Sequence, residues 1–96
     1  MNRFFELQGR QWVAAARRRD AAIEPPALDG RVALELLELA RATAHTQERQ
    51  FAPLSCFMAG VAAERLRVAR PEIDDVAVAA YIQEVRQELE AEAPAG

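Results

Sequence analysis

The chain has one cysteine, one histidine, four glycines and no lysine, and each shortage narrows what it can be. A single cysteine, Cys56, excludes an internal disulfide and a cage of several cysteines around a metal. A single histidine, His45, means that any histidine-based catalysis or metal binding has to use that residue. Arg10, Arg17, Arg18 and Arg19 interrupt the apolar residues near the start, which breaks the charged-then-apolar pattern of a secretory leader. No apolar run approaches the roughly 20 residues needed to span a bilayer. These absences lead us to expect a cytoplasmic protein without a membrane partner. Every basic side chain is arginine; together with the alanine content this points to a GC-rich genome more than to a selected function.

What remains is 96 residues, 51% hydrophobic and 28% charged. That is a globular composition, near the lower end of sizes that fold without metals or disulfides. Much of the apolar content is alanine, which favours helix and leaves a thin core. The net charge of −3 is unevenly spread. Residues 1–19 carry five arginines and one glutamate, whereas residues 71–96 carry seven acids and one arginine. An acidic whole argues against nucleic acid as a partner. The split suggests two segments lying side by side.

Four helical stretches are predicted. The first covers residues 3–20, with Asn2 as N-cap and Phe4, Phe5, Trp12, Ala15 and Ala16 as a core stripe. Pro25 and Pro26 end any continuation. The second covers 29–47 from an Asp29 cap. It has Val32, Ala33, Leu36, Leu37, Leu39, Ala40 and Ala44 on one face, and Arg31, Glu35 and Glu38 on the other. The third covers 53–69, with Pro53 in its first position. Its main apolar face is Leu54, Phe57, Met58, Val61, Ala62 and Val68, and Cys56, Gly60 and Ala63 at its back invite close approach. We expect it to be the central, most buried element.

The fourth helix covers 71–92, with Glu72, Asp74 and Asp75 in its first turn, where acids complement the dipole. Ile73, Val76, Ala77 and Ala80 form one apolar stripe. Val78, Ile82, Val85 and Leu89 form a second, with coiled-coil-like spacing. The expected fold is all-α: one four-helix, bundle-like domain over 1–92, up-down-up-down, with a frayed tail at 93–96. In that topology Arg17, Arg18 and Arg19 would lie beside Glu72, Asp74 and Asp75.

Residues able to carry chemistry are few. His45 sits off the main apolar stripe near a helix end, where an imidazole can bond a terminal carbonyl. The spacing His45-x-x-Glu48 carries no zinc or di-iron signature, and a Cys56–His45 pair lacks an orienting third group. We therefore expect no catalytic set, no metal and no cofactor. Free N–H groups at Leu54 and Ser55, with His45 and Arg49 nearby, would form a weak anion site, unless a local carboxylate such as Glu48 fills it. Arg65 lies within the angular range of the third helix's apolar stripe. It either snorkels outward or pairs with an acid of the fourth helix.

The stretch 36–65 carries Leu39, Ala40, Arg41, Ala44, His45, Arg49, Ala52, Pro53, Leu54, Phe57, Gly60, Ala62 and Ala63 in one order and spacing. This pattern resembles a small helical domain of unknown function seen mainly in actinobacteria. That domain occurs alone or fused behind molybdenum cofactor guanylyltransferase, which joins GMP to molybdopterin. Trp12 is similar to an N-terminal tryptophan of that family. Gln50 stands where a proline usually follows the arginine, and Ser55-Cys56 replaces a hydroxyl pair. The chain lacks a glycine-rich nucleotide loop, so the resemblance implies an accessory to that chemistry, not the transferase.

The sequence thus points to a non-catalytic helical binding or adaptor module, linked through the resemblance to molybdenum-cofactor maturation. Its partner would be another protein or its own copy. The alternative is a structural module that dimerises or docks through Val78, Ile82, Val85 and Leu89. A third reading is a small enzyme or anion binder around His45 and Arg49, with Leu54 and Ser55.

Overall fold

The computed structural model describes residues 2–92 and holds four α-helices, with no strand among the described residues. Helix α1 is Arg3–Arg17, α2 is Gly30–Thr46, α3 is Ala52–Ala69 and α4 is Asp75–Glu92. A 3-10 turn, Arg49–Phe51, leads directly into α3. The chain divides into two compact units, 1–30 and 31–96, each described by itself. The all-α expectation holds; the expected tail at 93–96 lies outside the described residues.

In the first unit, the Asn2 carboxamide accepts from the Phe4 N–H at 2.8 Å and caps α1. The helix stops at Arg17, earlier than expected, because Asp20 adopts a left-handed φ of 60°. Asp20 N–H then reaches the Arg17 carbonyl and Ala21 N–H the Ala16 carbonyl, at 3.0 and 2.9 Å. This is a Schellman ending with aspartate in the position glycine usually holds. The Arg19 guanidinium adds a bond to the Ala15 carbonyl at 3.0 Å. The segment after it passes close to α1 at Gly9, where a Cβ would stand 3.1 Å from the Pro26 carbonyl oxygen. The predicted core stripe of α1 is not a core: Phe4, Phe5 and Trp12 are exposed, and Gly9 is the one buried residue of the helix.

The second unit is built around Leu39 of α2, Ala63 of α3, and Val78 and Ile82 of α4. Val32, Leu36, Ala59, Ile73 and Leu89 pack against this cluster. Helix α2 turns Val32, Leu36 and Leu39 inward as expected, but Leu37 is exposed. Its buried Thr43 is satisfied by a hydroxyl bond to the Leu39 carbonyl at 2.9 Å. Helix α4 begins at Asp75 instead of residue 71. Pro71 lies in a turn, and the Asp74 carboxylate accepts from the Ala77 N–H at 3.0 Å as the N-cap.

Helix α3 sits the other way round from its predicted orientation. Ala59 and Ala63, from the small-residue side, face the core, and the Cys56 thiol donates to the Leu36 carbonyl of α2 at 3.6 Å. Leu54, Phe57, Met58 and Val68, expected as its buried face, are exposed. Gly60 is exposed too, and a Cβ there would meet nothing within 4 Å, so it is not a close-contact position. The physical reason is that α3 is apolar on both sides, so periodicity does not choose between them. Small side chains allow a closer approach to α2 than Phe57 and Met58 would.

The acids expected to face the arginines of α1 have partners within their own unit. Glu72 pairs with Arg70 at 2.6 Å and Asp75 with Arg67 at 2.5 Å. The charge segregation along the chain therefore does not require the two clusters to meet.

Candidate functional site

His45 and Ser55, two of the residues expected to form an anion site, line different hollows. His45, near the end of α2, is exposed and lines a shallow concavity with Glu38, Arg41, Ala42, Thr46 and Glu90. Arg41 is already paired there with Glu38 at 3.0 Å, and the imidazole makes no hydrogen bond among the described residues. Ser55 lines a different, apolar cleft, Leu54 is exposed, and Arg49 lies exposed in the 3-10 turn.

That turn also changes the start of α3. Its carbonyls stand one turn ahead of the helix, and the Ala52 N–H donates to the Arg49 carbonyl. No side chain caps the start of α3, and the Glu48 carboxylate accepts from the Gln50 amide at 3.4 Å instead.

Cys56 is half-buried, and burial pushes its thiol above the ordinary value. It is therefore protonated at neutral pH, and its proton is directed at the Leu36 carbonyl. A neutral thiol is a poor nucleophile. Among the described residues, no three of histidine, cysteine, aspartate and glutamate gather as they would around a metal.

Two charge clusters in the second unit escaped the sequence reading. Arg67, not Arg65, joins α3 to the start of α4 through Asp75. Arg86 of α4 bonds Glu90 at 2.5 Å and lies 3.6 Å from Glu35 of α2, with both Arg86 and Glu35 largely covered. The bond to Glu90 holds Arg86 above the usual arginine range, against the opposing effect of burial. The i,i+4 spacing of Arg86 and Glu90 was a usable signal; nothing in the sequence pointed to Glu35. Glu72, exposed, is held below the ordinary carboxylate range by its own backbone N–H and then by Arg70.

The more prominent surface is the outer side of α3 with the facing part of α4. Leu54, Phe57 and Met58 are 62%, 73% and 72% exposed, and Val68 reaches 80%. A cleft of about 180 Å³ opens between the helices, lined by Met58, Ala59, Ala62, Tyr81, Ile82 and Val85 together with Leu39 and Ser55. A second hollow of about 500 Å³ adjoins it across Met58, Ala62 and Tyr81 and continues to Phe57, Val61, Arg65 and Leu66. Arg65 has no acidic partner among the described residues. Of the stripe expected on α4, Val78 and Ile82 are closed inside the core of this unit and Leu89 packs against it. Val85 is half-exposed and belongs to the α3–α4 cleft. Three of the four stripe residues are thus covered within their own unit, and an open apolar surface of that unit lies one helix earlier in the chain.

A contiguous apolar face on a small domain marks an interaction surface more often than a catalytic one. The smaller cleft is below the usual size of small-molecule sites, which run from roughly 300 to 1,000 Å³. It has room for a protruding side chain. No curated protein and no solved structure matches the chain. One family model matches residues 7–96, running across both units, and by that match the chain belongs to the domain of unknown function family DUF6457.

Proposed function

We propose that this chain is a non-catalytic helical binding module whose docking surface is the outer face of α3, extended by Tyr81 and Val85 of α4. The observation that carries this reading is the exposure of Phe57 and Met58, 73% and 72%, on a helix whose opposite side is packed in the core. Leaving several large apolar side chains of one face in water is costly, at about 1.5–3 kcal/mol for each that a partner could bury fully. The neutral Cys56 thiol, whose proton is held by the Leu36 carbonyl, supports a binding role over a catalytic one.

The accessory place beside molybdenum-cofactor maturation rests on the resemblance of stretch 36–65 alone. Work in the cytoplasm is supported by composition and by the lack, among the described residues, of a helix long and apolar enough to cross a membrane. A photo-reactive phenylalanine analogue placed at Phe57 in the native host tests the reading. Crosslinked protein adducts are expected there and not from the same analogue at Leu37, an exposed residue of α2 outside the surface. Equal or absent adducts at the two positions would overturn it.

A further inference from the structure

The first unit carries an exposed apolar face of its own, and this one is set against charge of a single dominant sign. Successive residues of a helix turn by about 100°. Phe5 and Trp12, seven apart, therefore fall on one line of α1, with Phe4, Ala15 and Ala16 beside it. Arg3, Arg10 and Arg17, also seven apart, fall on the opposite line together with Glu6. Of the four helices, α1 separates its apolar from its charged residues most sharply, although it is polar on average. The segment at Pro26 covers the helix at Gly9, yet Phe4 and Trp12 remain 55% and 58% exposed and Phe5 39%. The Phe4 and Phe5 rings meet edge to face, with centroids 5.1 Å apart.

Residues 3–19 hold five arginines and one acid, and the other acids of this unit, Asp20, Glu24 and Asp29, follow the helix. Arg3, Arg10, Arg17 and Arg18 are exposed and have no acidic partner among the described residues. The acids near the start and end of α4 that would suit them, Glu72, Asp75 and Glu90, are paired with arginines of their own unit.

We infer that α1 binds the surface of an anionic membrane, lying in the headgroup layer with Phe4, Phe5 and Trp12 turned toward the acyl chains. A helix that is polar on average, with arginines on one side and aromatic rings on the other, has the composition of such interfacial helices. The placement of the two lines selects the partner. A rigid protein or a nucleic acid docks on one side of a helix and leaves the opposite line in water. The headgroup layer surrounds the helix, so the rings reach the apolar boundary while the guanidinium groups stay among lipid phosphates. The expectation of no membrane partner rested on the lack of a spanning run, and a helix lying in the surface needs none.

Trp12 is the one tryptophan of the chain, so its emission reports the contact directly. The full chain is titrated with vesicles of phosphatidylcholine containing about a third phosphatidylserine, and with vesicles of phosphatidylcholine alone. The anionic vesicles are expected to move Trp12 emission to shorter wavelength and to carry the chain with them in a flotation gradient. Neutral vesicles are expected to do so far less. Phe4→Glu is expected to remain helical by circular dichroism and to lose the shift. Arg10→Ala, on the opposite line, is expected to weaken binding to the anionic vesicles about fivefold. Leu37→Glu, on α2, is expected to bind like the parent.

An unchanged Trp12 spectrum at about 1 mM lipid, equal binding to neutral vesicles, or binding indifferent to Phe4→Glu would overturn the inference. A shift of equal size with soluble polyglutamate or a single-stranded oligonucleotide would also overturn it, and would give α1 to an acidic protein or to nucleic acid instead.

Discussion

Gly60 and Gly9 show how differently two helical glycines can be used. Around Gly60 a Cβ would meet nothing within 4 Å, and the position is exposed in the interior of α3. At Gly9 the Pro26 carbonyl oxygen stands 3.1 Å from where a Cβ would be. Glycine inside a helix costs about 0.5–1 kcal/mol relative to alanine when no contact requires it. Gly60→Ala should therefore stabilise the protein by about that amount, read as a higher urea midpoint with unchanged slope. A lower midpoint would mean that Gly60 is a contact position after all. The spacing of Cys56, Gly60 and Ala63 suggested a contact at Gly60, but the structure gives that role to Ala63, Ala59 and Cys56. The difference is about a quarter-turn of helix, too little for a pattern of small residues to resolve.

At the level of the elements, helix ends were easier to place where a side chain performs the capping. Asn2 at the start of α1 was legible because its short carboxamide can reach an N–H two residues on. The start of α4 was placed too early, because Pro71 suits a first helical position as well as it suits a turn. The structure shows the decision being made by Asp74, whose carboxylate holds the Ala77 N–H. Asp74→Ala should cost about 1 kcal/mol, and Asp74→Ser should recover most of it. Thermal melts of the three proteins check this. Equal melting temperatures for Asp74→Ala and the parent would show that the backbone bond from Val78 N–H to the Asp74 carbonyl suffices to start the helix. The early end of α1 was not legible, since a left-handed aspartate at position 20 is an uncommon way to finish a helix.

For the molecule as a whole, stability is concentrated in few side chains. Val78 is 1% exposed and Ile82 3%, and they meet Leu39 and Ala63, which leaves little redundancy in the second unit. Ile82→Ala removes a large part of that cluster and should cost about 2–5 kcal/mol. That is a large share of the 5–15 kcal/mol typical of a small domain, so partial unfolding at room temperature is expected by circular dichroism. Val68→Ala, by contrast, should stay within about 0.5 kcal/mol of the parent in dilute solution, where the surface is unoccupied. If both variants unfolded at the same denaturant concentration, the inward orientation of Ile82 and the outward orientation of Val68 would be wrong.

Helix content and the number of helices followed from the sequence by itself, and so did the breaks between them, apart from the end of α1 and the start of α4. Alanine propensity, prolines at 25, 26, 53 and 71, and capping side chains act within a few residues of chain. The inward face of α2 was legible in part: Val32, Leu36 and Leu39 pack inward as the apolar periodicity indicates, whereas Leu37 is exposed and Glu35, read as outward, is largely covered beside Arg86. Tertiary structure alone decided which side of α3 is buried, because both sides are apolar and only the fit against Leu36 and Ile82 distinguishes them. It also set His45 and Ser55 against different hollows, one near the end of α2 and the other between α3 and α4, a relation that spacing along the chain does not encode. Short-range energies act along the sequence, whereas the choice of face is a packing energy between segments. Here that choice turned Phe57 and Met58 from expected core into exposed surface.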